Sequence, residues 1–203
     1  MTLRALALNC TLKASPAPSS TDRMIDVLAG ALAAHGVVTE TIRIVDHDVR
    51  PGVDSDEGLG DGWPPIRERI LGSDIIILAT PIWMGAPSSV AKRVVERMDA
   101  FLGETDDRGR MPSYSKVAIV AVVGNEDGAH RSSADLYQWL ADVGFTIPAN
   151  AVAYWVGEAM GSVDFADLDD VPEKVTSAAA QTASNATHLA ALLGSNPYPG
   201  VEG

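Results

Sequence analysis

The sequence predicts an α/β domain in which a parallel sheet lies between two layers of helices. Short apolar runs rich in β-branched residues alternate along the chain with stretches whose apolar residues recur at helical spacing. Three of the short runs are apolar at almost every position, as expected of strands that are covered on both faces. Because alternating strands and helices favour parallel pairing through right-handed crossovers, we expect three layers in the order α/β/α.

Five of the apolar runs are predicted strands. The second run partly alternates between apolar and polar residues, which suits a strand at the edge of the sheet. Five strands joined by helices favour the flavodoxin-like order 2-1-3-4-5, in which ligands bind beyond the carboxyl ends of strands 1 and 3. The predicted strands are residues 3–8, 37–45, 74–79, 116–123 and 150–156.

Helical periodicity predicts four helices between and after these strands. Asp170 with Glu173 is predicted to cap the last helix, and Ser132 with Asp135 predicts a capping box at the start of the helix before it. The residues that define the four helical faces are Ile25, Leu28 and Leu32; Val90, Val94, Met98 and Phe101; Leu136, Trp139, Leu140 and Val143; and Val175, Ala179, Thr182, Ala186, Leu189 and Leu193.

Length and composition predict one globular domain over residues 1–203, with a C-terminal tail over residues 195–203. Fifteen basic against 27 acidic residues give a formal net charge of −12, which repels nucleic acids and anionic membrane surfaces. No apolar run is long enough for a membrane span or a secretory signal. We therefore expect a cytoplasmic protein without a nucleic-acid or membrane partner.

Several other kinds of site are excluded by their missing motifs. Cys10 is the only cysteine, so it forms no intramolecular disulfide or four-cysteine cluster, and a buried small hydrophobe is its simplest interpretation. The acidic stretch 46–62 does not fit an EF-hand, because Gly58 and Pro65 stand at the fifth and twelfth positions counted from Asp54. The sequence predicts no metal site, and it leaves open whether this stretch is a mobile loop or a lid. A serine hydrolase is disfavoured because G-x-S-x-G does not occur.

The loop after strand 1, NCTLKASPAPSST (residues 9–21), has the composition of a phosphate-binding loop. Hydroxyl hydrogens and the unpaired amides of a helix N-terminus bind phosphate oxygens, and a lysine adds positive charge. The alternative is that Ser19 with Asp22 is an ordinary capping box. Neither G-x-G-x-x-G nor the P-loop motif is present. The phosphate-binding candidates are Thr11, Lys13, Ser19, Ser20 and Thr21.

The loop after strand 3, TPIWMGAP (residues 80–87), is predicted to lie against a flat ligand. Its prolines restrict the backbone, Gly85 permits a close backbone approach, and Trp83 and Met84 offer apolar faces. The alternative is that Trp83 and Met84 pack in the core or against a second subunit.

The loop after strand 4, GNEDGAH (residues 124–130), has two glycines that allow backbone amides to turn toward a ligand. His130 has the chemistry for proton transfer near neutral pH. Its alternative role is structural, as is usual for a loop histidine without an identified partner.

These three loops, with FTIPANAVAYWVGEAM and NATHLAALL, resemble the flavodoxin-like NADPH-dependent FMN reductase and quinone reductase family over residues 3–199. The resemblance implies FMN as cofactor and NADPH or NADH as co-substrate. The first loop departs from the family's usual G-S-x-R, because Asn9, Cys10, Thr11 and Lys13 stand there. The resemblance assigns the first-loop candidates above to the FMN phosphate, Pro81, Ile82, Trp83, Met84 and Gly85 to the isoalloxazine ring, and Gly124, Asn125, Glu126, Asp127 and Gly128 to its pyrimidine edge, with Trp155 approaching from strand 5.

The resulting prediction is an FMN-dependent NAD(P)H oxidoreductase that reduces a quinone or similar small acceptor by ping-pong two-electron transfer. We predict that His130 donates a proton to the acceptor. A flavodoxin-type one-electron carrier that docks on redox partners is the main alternative, and a non-enzymatic FMN-storing or flavin-free protein is the third. The sequence leaves open the physiological acceptor, the choice between NADPH and NADH, and whether the chain forms a homo-oligomer.

Overall fold

The computed structural model describes residues 2–201 and confirms the predicted fold, a parallel sheet between helices. The strands are β1 Arg4–Asn9, β2 Val38–Arg43, β3 Ile75–Trp83, β4 Ala86–Pro87, β5 Val117–Gly124 and β6 Val152–Val156. Five of them lie in the order β2-β1-β3-β5-β6 with parallel pairing, which is the predicted flavodoxin-like order. The two-residue β4 pairs antiparallel with the end of β3.

Within residues 2–201, five α-helices flank the sheet: α1 Ser20–Ala33, α2 Trp63–Leu71, α3 Ser89–Met98, α4 Ala129–Asp142 and α5 Glu173–Ser195. Two apolar clusters of buried residues fill the spaces on either side of the strands. One contains Trp63 and Phe101, from the side of α2, α3 and α4. The other contains Phe165 and the small side chains of α5, such as Ala183. The strands β1, β3 and β5 are buried on both faces, as their apolar sequences predicted, whereas Ile42 is the one buried residue of the edge strand β2.

Helix α2 was not predicted. Pro64 and Pro65 interrupt the apolar pattern at its start, but both occupy the first turn, where proline is tolerated because the amide it lacks has no partner within the helix.

Two predicted helix starts are wrong. Helix α4 begins one turn before the predicted capping box, after Gly128 with φ of 129°, so Ser132 is a buried residue inside the helix. Helix α5 begins after Pro172, and neither Asp170 nor Glu173 provides a side-chain cap. In each case a residue with special backbone conformation stands at the cap position instead of a hydrogen-bonding side chain: glycine permits the positive φ angle at one, and proline fixes φ at the other.

The acidic stretch 46–62 is anchored by one buried arginine. The Arg97 guanidinium, on α3, donates to the carbonyl oxygens of Arg50 (3.1 Å) and Asp54 (2.8 and 3.0 Å) and to the Asp61 carboxylate (2.7 Å). Neither side chain of the Arg97–Asp61 ion pair is exposed. These contacts favour a fixed loop over a lid.

Candidate functional site

A cavity of about 520 Å³ lies at the carboxyl ends of β1, β3, β5 and β6, where a ligand site is expected in a sheet of this order. The three loops selected from the sequence meet there. Among the predicted site residues, the lining contains Thr11, Lys13, Ser19, Ser20, Thr21, Pro81, Ile82, Trp83, Met84, Gly124, Asn125, Glu126 and Trp155.

The end of the cavity at the first loop presents hydroxyl hydrogens. Ser19 Oγ accepts from the amide of Thr21 (3.1 Å), Ser20 Oγ accepts from the amide of Ala166 (3.1 Å), and Thr11 Oγ1 accepts from the amide of Lys13 (3.3 Å). A hydroxyl group has one hydrogen and two lone pairs, so an accepted bond leaves its hydrogen available. This end of the cavity therefore suits a ligand with several acceptor oxygens.

The capping box predicted from Ser19 and Asp22 forms only in part. Ser19 caps α1, but the Asp22 carboxylate accepts from the side chains of Asn9 and Arg43 instead of returning to the cap. Arg43 also donates to the carbonyl oxygens of Lys13 (3.2 Å) and Ala17 (2.8 Å). This network shapes the loop and compensates the one acidic charge in the first turn of α1.

Aromatic and apolar side chains form much of the remaining lining. The rings of Trp155 and Phe165 lie 5.4 Å apart between centroids. Among the other apolar lining residues, Trp83 is 53% exposed, Met84 90% exposed and Met160 92% exposed. These side chains line the cavity and are also exposed to solvent. A flat ligand bound beside them would therefore remain accessible from solvent.

A segment that sequence reasoning missed forms the remaining wall. We call residues 157–172, between β6 and α5, the strap. Arg23 donates to the carbonyl oxygens of Phe165 (2.9 Å) and Ala166 (3.0 Å), and Asn125 Nδ2 donates to Asp164 (3.0 Å). The lining residues not predicted are Leu12, Val123, Met160, Gly161, Asp164 and Phe165.

Four predicted site residues do not line the cavity: Gly85, Asp127, Gly128 and His130. Gly85 and Gly128 instead pack backbone against backbone, because a Cβ atom on Gly128 would lie 2.8 Å from the Cα of Gly85. His130 is an exposed residue of α4 whose Nε2 lies 3.3 Å from the Tyr154 hydroxyl. The structure thus gives His130 a partner outside the cavity.

The second and third loops are also joined through Glu126. Its two carboxylate oxygens accept from the amides of Met84 (3.0 Å) and Gly85 (3.2 Å). The neighbouring Asn125 has a buried Oδ1 atom without a hydrogen-bond partner among the described residues.

Cys10 is buried beside this region and is not a lining residue. Burial raises the pKa of its thiol far above the ordinary value. Because the thiolate is the reactive form of cysteine, we assign it a packing role.

Comparison with known proteins agrees with this geometry. Residues 3–161 match the family profile described as NADPH-dependent FMN reductase. The chain belongs to this family. Membership of the NADPH-dependent FMN reductase family implies an FMN-dependent oxidoreductase that uses NADPH.

Two curated relatives are similar to the chain. An 8-demethyl-8-aminoriboflavin-5'-phosphate synthase of Streptomyces davaonensis is 33% identical over 208 residues, covering 98% of this chain and 81% of the synthase. The divalent metal cation transporter MntH of Mycobacterium bovis is 41% identical over 161 residues, covering 77% of this chain. The match spans only 24% of the transporter. Within residues 2–201, no helix is long and apolar enough to cross a membrane.

A solved structure of RosB with the bound intermediate 8-demethyl-8-formylriboflavin-5'-phosphate has a TM-score of 0.86 to this chain. Its sequence is 31% identical, and the match covers 97% of this chain and 82% of RosB. A flavin phosphate is the ligand of that protein.

The residues of this chain fit FMN, the cofactor of the family. Three hydroxyl hydrogens and Lys13 meet the N-terminus of α1 at one end of the cavity, which suits a phosphate. The aromatic side chains of the lining, Trp83, Trp155 and Phe165, suit a ring system.

Proposed function

We propose that this chain uses FMN to transfer two electrons from NAD(P)H to a quinone or a similar small acceptor. The observation that supports the proposal is a cavity with two different ends. Hydroxyl hydrogens occupy one end, and exposed apolar side chains surround the other. Bound FMN would supply the hydride chemistry, as cofactors do in such enzymes.

The protein's part in this reaction is binding and orientation. The first loop and α1 hold the phosphate, while Trp155, Phe165 and Ile82 limit where the ring lies. The exposure of Trp83 and Met84 keeps one side of the ring end open to small molecules, so that NAD(P)H and acceptor bind there in turn. This order of binding is a ping-pong cycle.

A second function is favoured by the relatives. The Streptomyces davaonensis synthase and RosB are similar to this chain over almost all of its length, and RosB holds a flavin phosphate as an intermediate. The same cavity would then bind a flavin phosphate as the substrate that is altered, instead of as a resident cofactor.

One experiment separates the two functions. The protein is loaded with FMN under anaerobic conditions, reduced with NADPH or NADH, and mixed with a quinone, while the flavin absorbance is followed. We expect bleaching, recovery with quinone, and recovery of FMN of unchanged mass afterwards. A flavin of altered mass would support the second function, and no bleaching by either nucleotide would contradict the first.

We also propose a cytoplasmic location. A free thiol at Cys10 is compatible with a reducing compartment. Fractionation of cells expressing the full protein would test the location directly.

The Lys13→Ala and Ser20→Ala double variant should bind FMN more weakly than the parent protein, with a much smaller change for riboflavin. Both side chains line the phosphate end of the cavity, and hydrogen bonds to charged groups contribute about 1.5 to 3 kcal/mol each. Fluorescence titration with both flavins gives the two dissociation constants. Equal weakening of both flavins would contradict the assignment.

Ser15→Ala is the matched control for this variant. The Ser15 hydroxyl and amide donate to Asp46 and lower the pKa of that carboxyl group, and Ser15 does not line the cavity. Its replacement should leave both flavin affinities unchanged.

His130→Ala should leave FMN affinity unchanged, because His130 does not line the cavity. If it donates a proton to the acceptor at the rim, the variant should slow reoxidation by quinone on the order of tenfold, the lower range for removing a general acid. Stopped-flow reoxidation measures this rate, and His188→Ala, an exposed histidine on α5, is the control. If His130→Ala is reoxidised at the same rate as the parent protein from about pH 6 to 8, the range in which histidine titrates, His130 has no such role.

A further inference from the structure

The turn between β3 and β4 has an unusual arrangement of backbone amides. Trp83 pairs with Ala86, so Met84 and Gly85 form a two-residue hairpin turn. Both have positive φ angles, 53° and 70°, as a type I′ turn requires. Glycine adopts this conformation readily, whereas methionine does so at a cost. The turn therefore holds Met84 in a conformation that other contacts must stabilise.

One carboxylate supplies side-chain hydrogen bonds to the turn. Glu126 accepts from the two successive amides of Met84 and Gly85, one with each oxygen. Successive amides around left-handed residues form a concavity that binds anions. Glu126 thus occupies an anion site made by the backbone of the second loop.

This anion site borders the proposed ring end of the cavity. Met84 and Glu126 both line it, and the one basic residue in the lining, Lys13, belongs to the phosphate end of the described cavity. No cation of the lining therefore compensates Glu126 at the turn. Its carboxylate is held by the amide of Met84, which lines the cavity, and by the amide of Gly85, which does not.

We propose that Glu126 is an internal occupant of the Met84–Gly85 amides in the free protein, and that it leaves them when the ring of a flavin binds. The inference rests on the proposed function, which places a flavin in this cavity. Because Glu126 and the ring compete for the Met84 amide, the carboxylate lowers the fraction of protein that is ready to bind. The apparent dissociation constant rises in inverse proportion to that fraction.

The test is the affinity of Glu126→Ala and Glu126→Gln for FMN and for riboflavin, measured by fluorescence titration of apoprotein. We expect Glu126→Ala to bind both flavins more tightly by a similar factor, about tenfold if one parent molecule in ten has its amides free. Glu126→Gln keeps one acceptor oxygen, so it should tighten both flavins by a smaller factor.

Asp127→Asn is the matched control, because it removes the same charge one residue along, from an exposed side chain that does not line the cavity. It should leave both affinities unchanged.

Tightening of FMN alone in the Glu126 variants would indicate simple charge repulsion with the phosphate and would overturn the inference. Weaker binding of riboflavin by either variant would also overturn it, since Glu126 would then hold the turn in its binding conformation. A parent protein that binds neither flavin would overturn the proposed function itself.

Discussion

Arg97→Leu should lower the free energy of unfolding by about 3 to 5 kcal/mol, the usual effect of breaking a buried ion pair. The variant leaves the Asp61 carboxylate without its guanidinium partner in a place where neither side chain is exposed. It also removes the donors to the carbonyl oxygens of Arg50 and Asp54. Urea unfolding followed by circular dichroism measures the change.

The control for this variant is Arg93→Leu, on the same helix. Arg93 is exposed and donates one bond, to the carbonyl oxygen of Val49 (3.1 Å), so its loss should cost about 1 kcal/mol or less. If Arg97→Leu were no less stable than Arg93→Leu, the acidic stretch 46–62 would not depend on the buried pair.

The same pair predicts a pH dependence. Burial alone would raise the pKa of Asp61, but hydrogen bonds from Arg97 and from the amides of Glu57, Trp63 and Arg50 outweigh it and hold the pKa well below its usual range. A carboxyl group with a lowered pKa stabilises the fold fully above its unfolded value of about 3.9, and this stability is lost as the pH falls toward the folded value. The stability difference between parent and Arg97→Leu should therefore shrink in acid below about pH 4.

Gly128→Ala should lower the free energy of unfolding by about 2 to 4 kcal/mol. It should also weaken FMN binding. A Cβ atom at this position would lie 2.8 Å from backbone atoms of Gly85, and overpacking typically costs about 1 to 3 kcal/mol. The φ angle of 129° adds backbone strain for any residue with a Cβ atom. The second and third loops must then move apart, which changes the spacing of the amides and side chains around the cavity.

Gly85→Ala separates the effect of overpacking from the effect of backbone strain. Its φ angle is also positive, at 70°, but its Cβ atom would meet only the Asp127 carbonyl oxygen, at an ordinary 3.7 Å. It should therefore lose about 1 kcal/mol from the backbone conformation and retain most of its flavin affinity. Titration with FMN and thermal unfolding of both variants test the comparison, and equal effects would show that contact between the loops is unimportant.

Much of the fold could be predicted because apolar periodicity reports burial directly. The parallel strands such as β3 are apolar at nearly every position, and the faces of α1 and α5 repeat with helical spacing. The start of α4 could not be predicted from Ser132 and Asp135, because the conformation of Gly128 and its packing on Gly85 determine it. That packing joins loops from different strands and leaves no local pattern in the sequence.

In the site too, features that depend on neighbouring residues could be predicted, whereas features that depend on distant contacts could not. The first loop was recognisable because hydroxyl residues precede a helix, and the order of the sheet placed it beside the other loops. The strap was not recognisable, since its position depends on Arg23 and Asn125, which lie far from it in the chain. Phe165 lies at the cavity because its ring packs in the apolar cluster on that side of the sheet and because Arg23 binds its carbonyl oxygen.

The cavity is assembled from segments that follow four different strands. The supply of ligand should therefore affect how long the protein survives in the cell. Separation of β1, β3, β5 or β6 from the sheet would dismantle the cavity, so a ligand bound there favours the intact state over every opened one. By mass action, free ligand at 100 times its dissociation constant adds about 2.7 kcal/mol to the free energy of unfolding. Where cleavage by cellular proteases depends on the opened population, molecules made when flavin is scarce should be degraded sooner than those made when it is plentiful.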